Sequence, residues 1–181
     1  ADRWILTQLS SLSSPYGECI AVSTSGDPTG SYNTYYYSFG TSLPDYPKFG
    51  VWPTATNSAY IATYNLFANA SSFQGADLCA YDRAAMLAGA ATPAQICYLI
   101  SNDGSFLPSD LDGATAPPSG TPAYFLTYET LSSLRMWTLT PNFTTPASST
   151  LTQVSPDLGV TSFSQLCGGG TCVPQSGTTN Q

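Results

Sequence analysis

Short runs of hydrophobic residues recur along the chain, parted by turn-forming residues, and they recur in sets of three. One run opens each set. It reads AYIATYN at residues 59–65 and returns as AYFLTYE at 123–129, with WILTQ at 4–8 as a looser copy. A second run follows at 19–23, 78–81 and 136–139, and a third at 32–39, 95–100 and 150–154. All are short and rich in β-branched or aromatic residues, so each is expected to be a strand. Second and third runs are joined by 25–32, 82–89 and 142–149. The middle connector predicts a short helix, with Asp82 as N-cap, Ala84, Ala85, Met86 and Leu87 as its body, and Gly89 free to take the left-handed position past its end. Long stretches bearing Pro and Gly, 43–56 and 102–122, are expected to be surface loops between the sets.

Self-similarity at long spacing means one supersecondary unit used several times. The expected fold is all-β, built of about three blade-like repeats of a β-propeller: residues 1–57, 58–121, and 122–181, the last including a Cys-closed loop. Closing a propeller takes roughly four to eight blades, and an open arc leaves sheet edges unpaired. The three units are therefore expected to form one incomplete domain, finished at its blade edges by more of the same polypeptide or by another subunit. A self-contained sandwich of roughly nine or ten strands is the alternative.

Charge narrows the partners. Arg3, Lys48, Arg83 and Arg135 stand against eleven acids, for a net charge of −7. Four scattered cations cannot neutralise a phosphate backbone, which excludes nucleic acid and argues equally against an anionic membrane surface. No apolar run approaches the length of about eighteen residues that membrane insertion needs. Surface polarity falls instead to Ser, Thr, Asn and Gln, a composition common outside the cell. The chain starts at Ala1 with neither an initiating Met nor a leader pattern, so a processed or internal piece of a secreted or cell-surface protein is expected.

Cysteines Cys19, Cys79, Cys97, Cys167 and Cys172 show no metal-ligand spacing, and histidine is absent. Disulfides fit better. Cys167 and Cys172 can close a small Gly-permitted loop, while Cys79 and Cys97 fall on strands expected to be neighbours. Cys19 is left over, either as a buried free thiol or for a partner outside the chain. Sequons stand at Asn69-Ala70-Ser71 and Asn142-Phe143-Thr144; they matter only in a eukaryote.

Five segments carry a family resemblance in order along almost the whole chain: ECIAVSTSGDPTGSY at 18–32, DYPKFGVWP at 45–53, CAYDRAAMLAG at 79–89, LPSDLDGATAPPSGTPAYFL at 107–126 and STLTQV at 149–154. Together they resemble a group of large secreted bacterial β-propeller proteins without a settled activity. The resemblance implies the fold, export, and further blades beyond the equivalent of Gln181. It implies no chemistry. Residues 25–32 also resemble the Asp-box hairpin of sialidase-type propellers, with Asp27, Gly30 and Tyr32 in the signature places and one extra residue between Asp27 and Gly30. The physical expectation is a folding device in which Asp27 accepts N–H bonds of its own turn, Gly30 supplies a positive φ and Tyr32 tucks under the sheet.

Glycoside hydrolysis needs two carboxylates roughly 5 to 9.5 Å apart. Glu18, Asp45, Asp103, Asp110, Asp112 and Glu129 are available, with Asp45 and Glu129 the catalytic candidates. Beside Asp45 stand Tyr46, Lys48 and Trp52, aromatic faces next to charge, as sugar recognition uses; the plainer alternative is an Asp45–Lys48 pair pinning a loop, with Trp52 in the core. Asp103, Asp110 and Asp112 offer hard oxygen ligands of the kind that hold Ca²⁺, without the full EF-hand spacing, or simply Asp-stabilised turns. The lack of histidine removes Ser-His-Asp and Cys-His nucleophiles. No nucleotide-cradling glycine loop is present, and 168–170 belongs to the disulfide loop. Tyr35, Tyr36 and Tyr37 alternate faces, so at least one is expected at the surface.

The expectation is an exported β-propeller segment acting as a binding or assembly module for carbohydrate or protein at the cell surface, with the balance against an enzyme but that question open, and with Ca²⁺ the one candidate cofactor. The rivals are part of a glycoside-hydrolase-like propeller with paired carboxylates, and a structural subunit of a larger complex.

Overall fold

The computed structural model describes residues 2–101, 103–169, 172 and 176–177. Strands β1 (Ile5–Leu9), β2 (Tyr16–Ser23) and β3 (Tyr32–Gly40) make an antiparallel meander, the first sheet. Strands β4 (Ser42–Trp52), β5 (Ala59–Ala68), β6 (Ser72–Asp82) and β7 (Gln95–Ser101) make the second, again in chain order. The third runs β11 (Thr150–Gln153), β10 (Ser133–Thr140), β9 (Ala123–Thr130), β8 (Leu107–Pro108), with β12 (Leu158–Gly159) added to β10. The fold is all-β, and its three sheets are open and antiparallel. Each recurrent set of three hydrophobic runs is one meander: β1–β3, β5–β7 and β9–β11.

The helix forms where expected. α1 spans Arg83–Leu87, and the Ala85 N–H donates to Asp82 Oδ1 at 3.0 Å. Gly89 closes it at φ 72°, which only glycine takes without strain. Met86 is buried beneath it, and its carbonyl accepts from the Tyr35 hydroxyl at 2.7 Å, tying α1 to β3.

The expected surface loop over 43–56 is instead mostly β4. Pro44 and Pro47 argue against a central strand, but β4 lies at the edge of its sheet, where a missing N–H costs no ladder bond. A bulge between Asp45 and Lys48 absorbs the second proline. Part of that edge is covered. The Val51 N–H donates to Asp110 Oδ1 at 2.8 Å, and the Leu111 N–H donates back to the Val51 carbonyl at 3.1 Å. The other long joining segment carries the short strand β8 and is otherwise irregular.

The sheets stack face to face with the second in the middle. Strands β5 and β6 bury Tyr60, Ala62, Tyr64, Cys79 and Tyr81 against Ile20 and Val22 of the first sheet. Their opposite parity, with Ala59, Ile61, Leu78 and Ala80, meets Phe106, Phe125 and Leu139 on the third-sheet side. A sheet covered on both sides must be apolar at successive positions, which explains AYIA in β5 and LCAY in β6. Each fully buried Leu or Ile in these layers contributes about 2 kcal/mol of transfer free energy.

The hairpin at 24–31 folds as a turn built on Asp27. Its Oδ1 accepts from the Thr29 N–H at 2.9 Å and the Thr29 hydroxyl at 2.7 Å, which holds the Asp27 carboxyl below its ordinary range. Gly30 does not supply a positive φ. A side chain there would press on the Asp27 carbonyl, so closeness rather than handedness favours glycine. Tyr32 does not tuck beneath the sheet; its hydroxyl donates to the Pro28 carbonyl at 2.9 Å and braces the turn from outside.

Candidate functional site

The first sheet buries one face and leaves the other open. In β2, Glu18, Ile20 and Val22 point inward, so Cys19 and Ala21 point outward with Leu6 and Gln8 of β1 and Thr34 and Tyr36 of β3. These residues line an open depression of about 470 Å³. Leu6 is 55% and Tyr36 52% exposed, on the edge strands β1 and β3 that flank Cys19 and Ala21 of β2. No charged side chain lines this surface. Tyr36 is positioned by Gly17, where an added Cβ would run into its ring. Tyr35 and Tyr37 face inward instead and donate to the Met86 and Pro93 carbonyls.

Cys19 sits in the floor of this depression as a free thiol. The other four cysteines pair as expected. Cys79 and Cys97 are direct partners in the β6–β7 ladder and are disulfide-bonded, as are Cys167 and Cys172. Asp77 lies beside the first bridge, within 4.8 Å of both sulfurs, but two sulfurs bonded to each other are not thiolate ligands.

On the far side of the molecule the third sheet also leaves a face uncovered. Leu107 pairs with Leu126 on the outward parity of β9, and Tyr128 follows two residues on, 51% exposed. Tyr128 accepts from Gln165 at its hydroxyl and meets Phe163 edge-on at 6.4 Å.

The residues singled out from sequence do not come together in one place. Tyr46 and Lys48 come together on the β4 bulge, the Lys48 ammonium lying 3.2 Å from the Tyr46 ring centroid, with Tyr46 at φ 57°. Asp45 makes no ion pair with Lys48 and accepts the Tyr46 N–H at 2.8 Å. Trp52 stands at the other end of β4, edge-on to Tyr124 at 5.9 Å and donating to the Thr121 carbonyl, so it belongs to packing rather than to the bulge.

Asp103 and Glu129 meet at Arg135. Its guanidinium reaches Asp103 Oδ2 at 2.7 Å and Glu129 Oε2 at 2.5 Å, with Asp157 Oδ1 at 3.9 Å, and these are the ion pairs among the described residues. The hydrogen bond that Arg135 donates to Asp103 leads the effects that push the Arg135 pKa up. Asp110 caps β4, and Asp112 is exposed nearby. Asp103, Asp110 and Asp112 thus do not form one group, and Asp45 and Glu129 are held by different partners on different sheets. Asn69 is exposed in the β5–β6 turn, while Asn142 Oδ1 accepts from the Thr145 N–H at 2.8 Å.

One acid stands apart. Glu18 is fully buried between the first two sheets, and neither carboxylate oxygen has a hydrogen-bond partner of full geometry, although the Thr7 hydroxyl gives slight relief. Burial pushes its pKa up to about 7. Burial likewise raises Asp77 to about 6 and lifts the phenols of Tyr37, Tyr60, Tyr64 and Tyr81.

No protein-family model, curated protein or solved structure matches this chain. No helix among the described residues is long and apolar enough to cross a membrane.

Proposed function

We propose that the chain is a segment of an exported β-propeller that works as a binding or assembly module at the cell surface, and that its partner is another β-sheet stacked on an uncovered outer face. The observation that carries this is the inequality of the faces. The centre of the middle sheet, residues 59–66 of β5 and 75–82 of β6, is covered on both sides, while the flanking sheets keep Leu6 and Tyr36, and Leu107 and Tyr128, in solvent. The chain itself exemplifies what covers such a face: a second antiparallel sheet laid on it. The depression on the outer face of the first sheet is lined by no charged side chain, so a partner sheet desolvates no ion there. Two disulfides fit an oxidising compartment.

Light scattering across a concentration series tests this, with the double variant Leu6→Glu, Tyr36→Glu as comparison. The expected result is reversible association of the native chain under non-thiol-linked conditions, lost in the variant. A chain monomeric throughout whose tyrosine fluorescence responds to oligosaccharide, and no longer does so in Tyr36→Ala, would move the site to carbohydrate. A monomer indifferent to both would overturn it.

A further inference from the structure

Glu18 occupies an expensive place. A carboxylate with no exposure and no full hydrogen bond is tolerated only when neutral, because an ion there would be neither hydrated nor paired. Its surroundings offer no rescue. From β1 it meets Thr7; from β5 and β6, the Tyr64 and Tyr81 hydroxyls, which bond each other at 2.8 Å; and Asp77 of β6 adds a second acid acting on the same Tyr64. From β3, Tyr37 acts on Tyr81, and from β7, Gln95 donates to Tyr81 at 3.2 Å. Phe49 and Val51 of β4 and Met86 and Leu87 of α1 bring only apolar groups to this layer. All four cations of the chain are elsewhere. Arg3 and Arg83 act on Tyr60, Lys48 lies on Tyr46, and Arg135 holds its three acids.

The layer Glu18 sits in also covers the Cys79–Cys97 bridge. Cys79 is fully buried in the cluster that contains Ile20 and Val22, and Cys97, half-buried on the edge strand β7, packs against it. The first sheet therefore shields the bridge from the Cys79 side, and removing it would expose the bridge further.

We propose that Glu18 is a pH-operated latch: neutral, it lets the first sheet dock on the second and shield the Cys79–Cys97 disulfide; ionised, it weakens that docking and exposes the disulfide further to reduction. The direction follows from linkage. Glu18 binds its proton more tightly docked than exposed, so docking is strongest below the ordinary carboxyl value of 4.5 and weakens as pH rises until the group is ionised in both states, above about 7. Asp77, raised to about 6, adds in the same direction over a lower range.

The test is the rate at which a phosphine reduces Cys79–Cys97 in the folded full chain at pH 5 and pH 8, divided at each pH by the rate in denaturant. Protection in the native chain is expected to fall on the order of 50-fold between the two. Glu18→Gln keeps the shape without the ionisation and is expected to lose most of that fall, whereas Asp77→Asn is expected to keep the larger part of it. Near-UV circular dichroism at pH 5 qualifies each variant as folded. Equal protection of the native chain at both pH values overturns the latch, and so does a full pH response surviving in Glu18→Gln. If Glu18→Gln does not fold, the Asp77→Asn chain decides: a response lost there assigns the effect to Asp77 and overturns the role of Glu18, and a response retained supports it.

Discussion

Arg135 gathers Asp103 from a loop, Glu129 from the end of β9 and Asp157 from the approach to β12, and so holds three segments of the third sheet to one point. The acids are partly buried, so removing the cation leaves like charges facing each other with incomplete hydration. Arg135→Gln is expected to cost about 1–3 kcal/mol near neutral pH, read as a shift in the urea midpoint. The loss shrinks in high salt, which screens the stranded carboxylates from one another, and a loss unchanged by salt would contradict it. Sequence singled out Asp103 and Glu129, yet for metal and for catalysis. The cation that claims them is remote in sequence, and only the register of β9 on β10 brings it close. Glu18 left a better trace. Its parity with Ile20 and Val22 in a strand already put it on the inward face.

At the scale of elements, the hydrophobic runs found nine strands in three meanders, and the capping residues found α1. They missed β4. Pro44, Pro47 and Gly50 in LPDYPKFGVW read as loop because single-sequence patterns do not tell an edge strand from a central one, and at an edge those residues are tolerated. The residue read as a calcium candidate explains part of how that edge is finished. Asp110 accepts the Val51 N–H that faces away from β5, so Asp110→Ala is expected to cost about 1 kcal/mol and to speed exchange of the Val51 amide. A Val51 amide as protected in the variant as in the native chain would show that the cap is dispensable.

On the whole-molecule scale, repetition made three sheets legible but not their order in the stack, since face-to-face packing leaves no spacing to read. What sequence did carry was the doubly apolar character of β5 and β6, the mark of a middle layer. The Cys79–Cys97 bridge joins adjacent strands of that layer across a separation of 18 residues. Its removal in the chain carrying Cys79→Ala and Cys97→Ala is expected to cost about 3 kcal/mol by loop closure alone, measured as the change in urea midpoint at constant slope. A loss below about 0.5 kcal/mol would mean that packing with the flanking sheets already fixes the β6–β7 pair without it.

The centre of the middle sheet has no side open to water, and this sets how the protein can change over generations. In 59–66 of β5 and 75–82 of β6 neither parity of position has a free side, so substitutions should be rejected at nearly every residue rather than at every second one. In β1 and β3 tolerance should alternate. Variation is thereby channelled to the two outer surfaces, where recognition can be rewritten while the layer that holds the molecule together stays as it is.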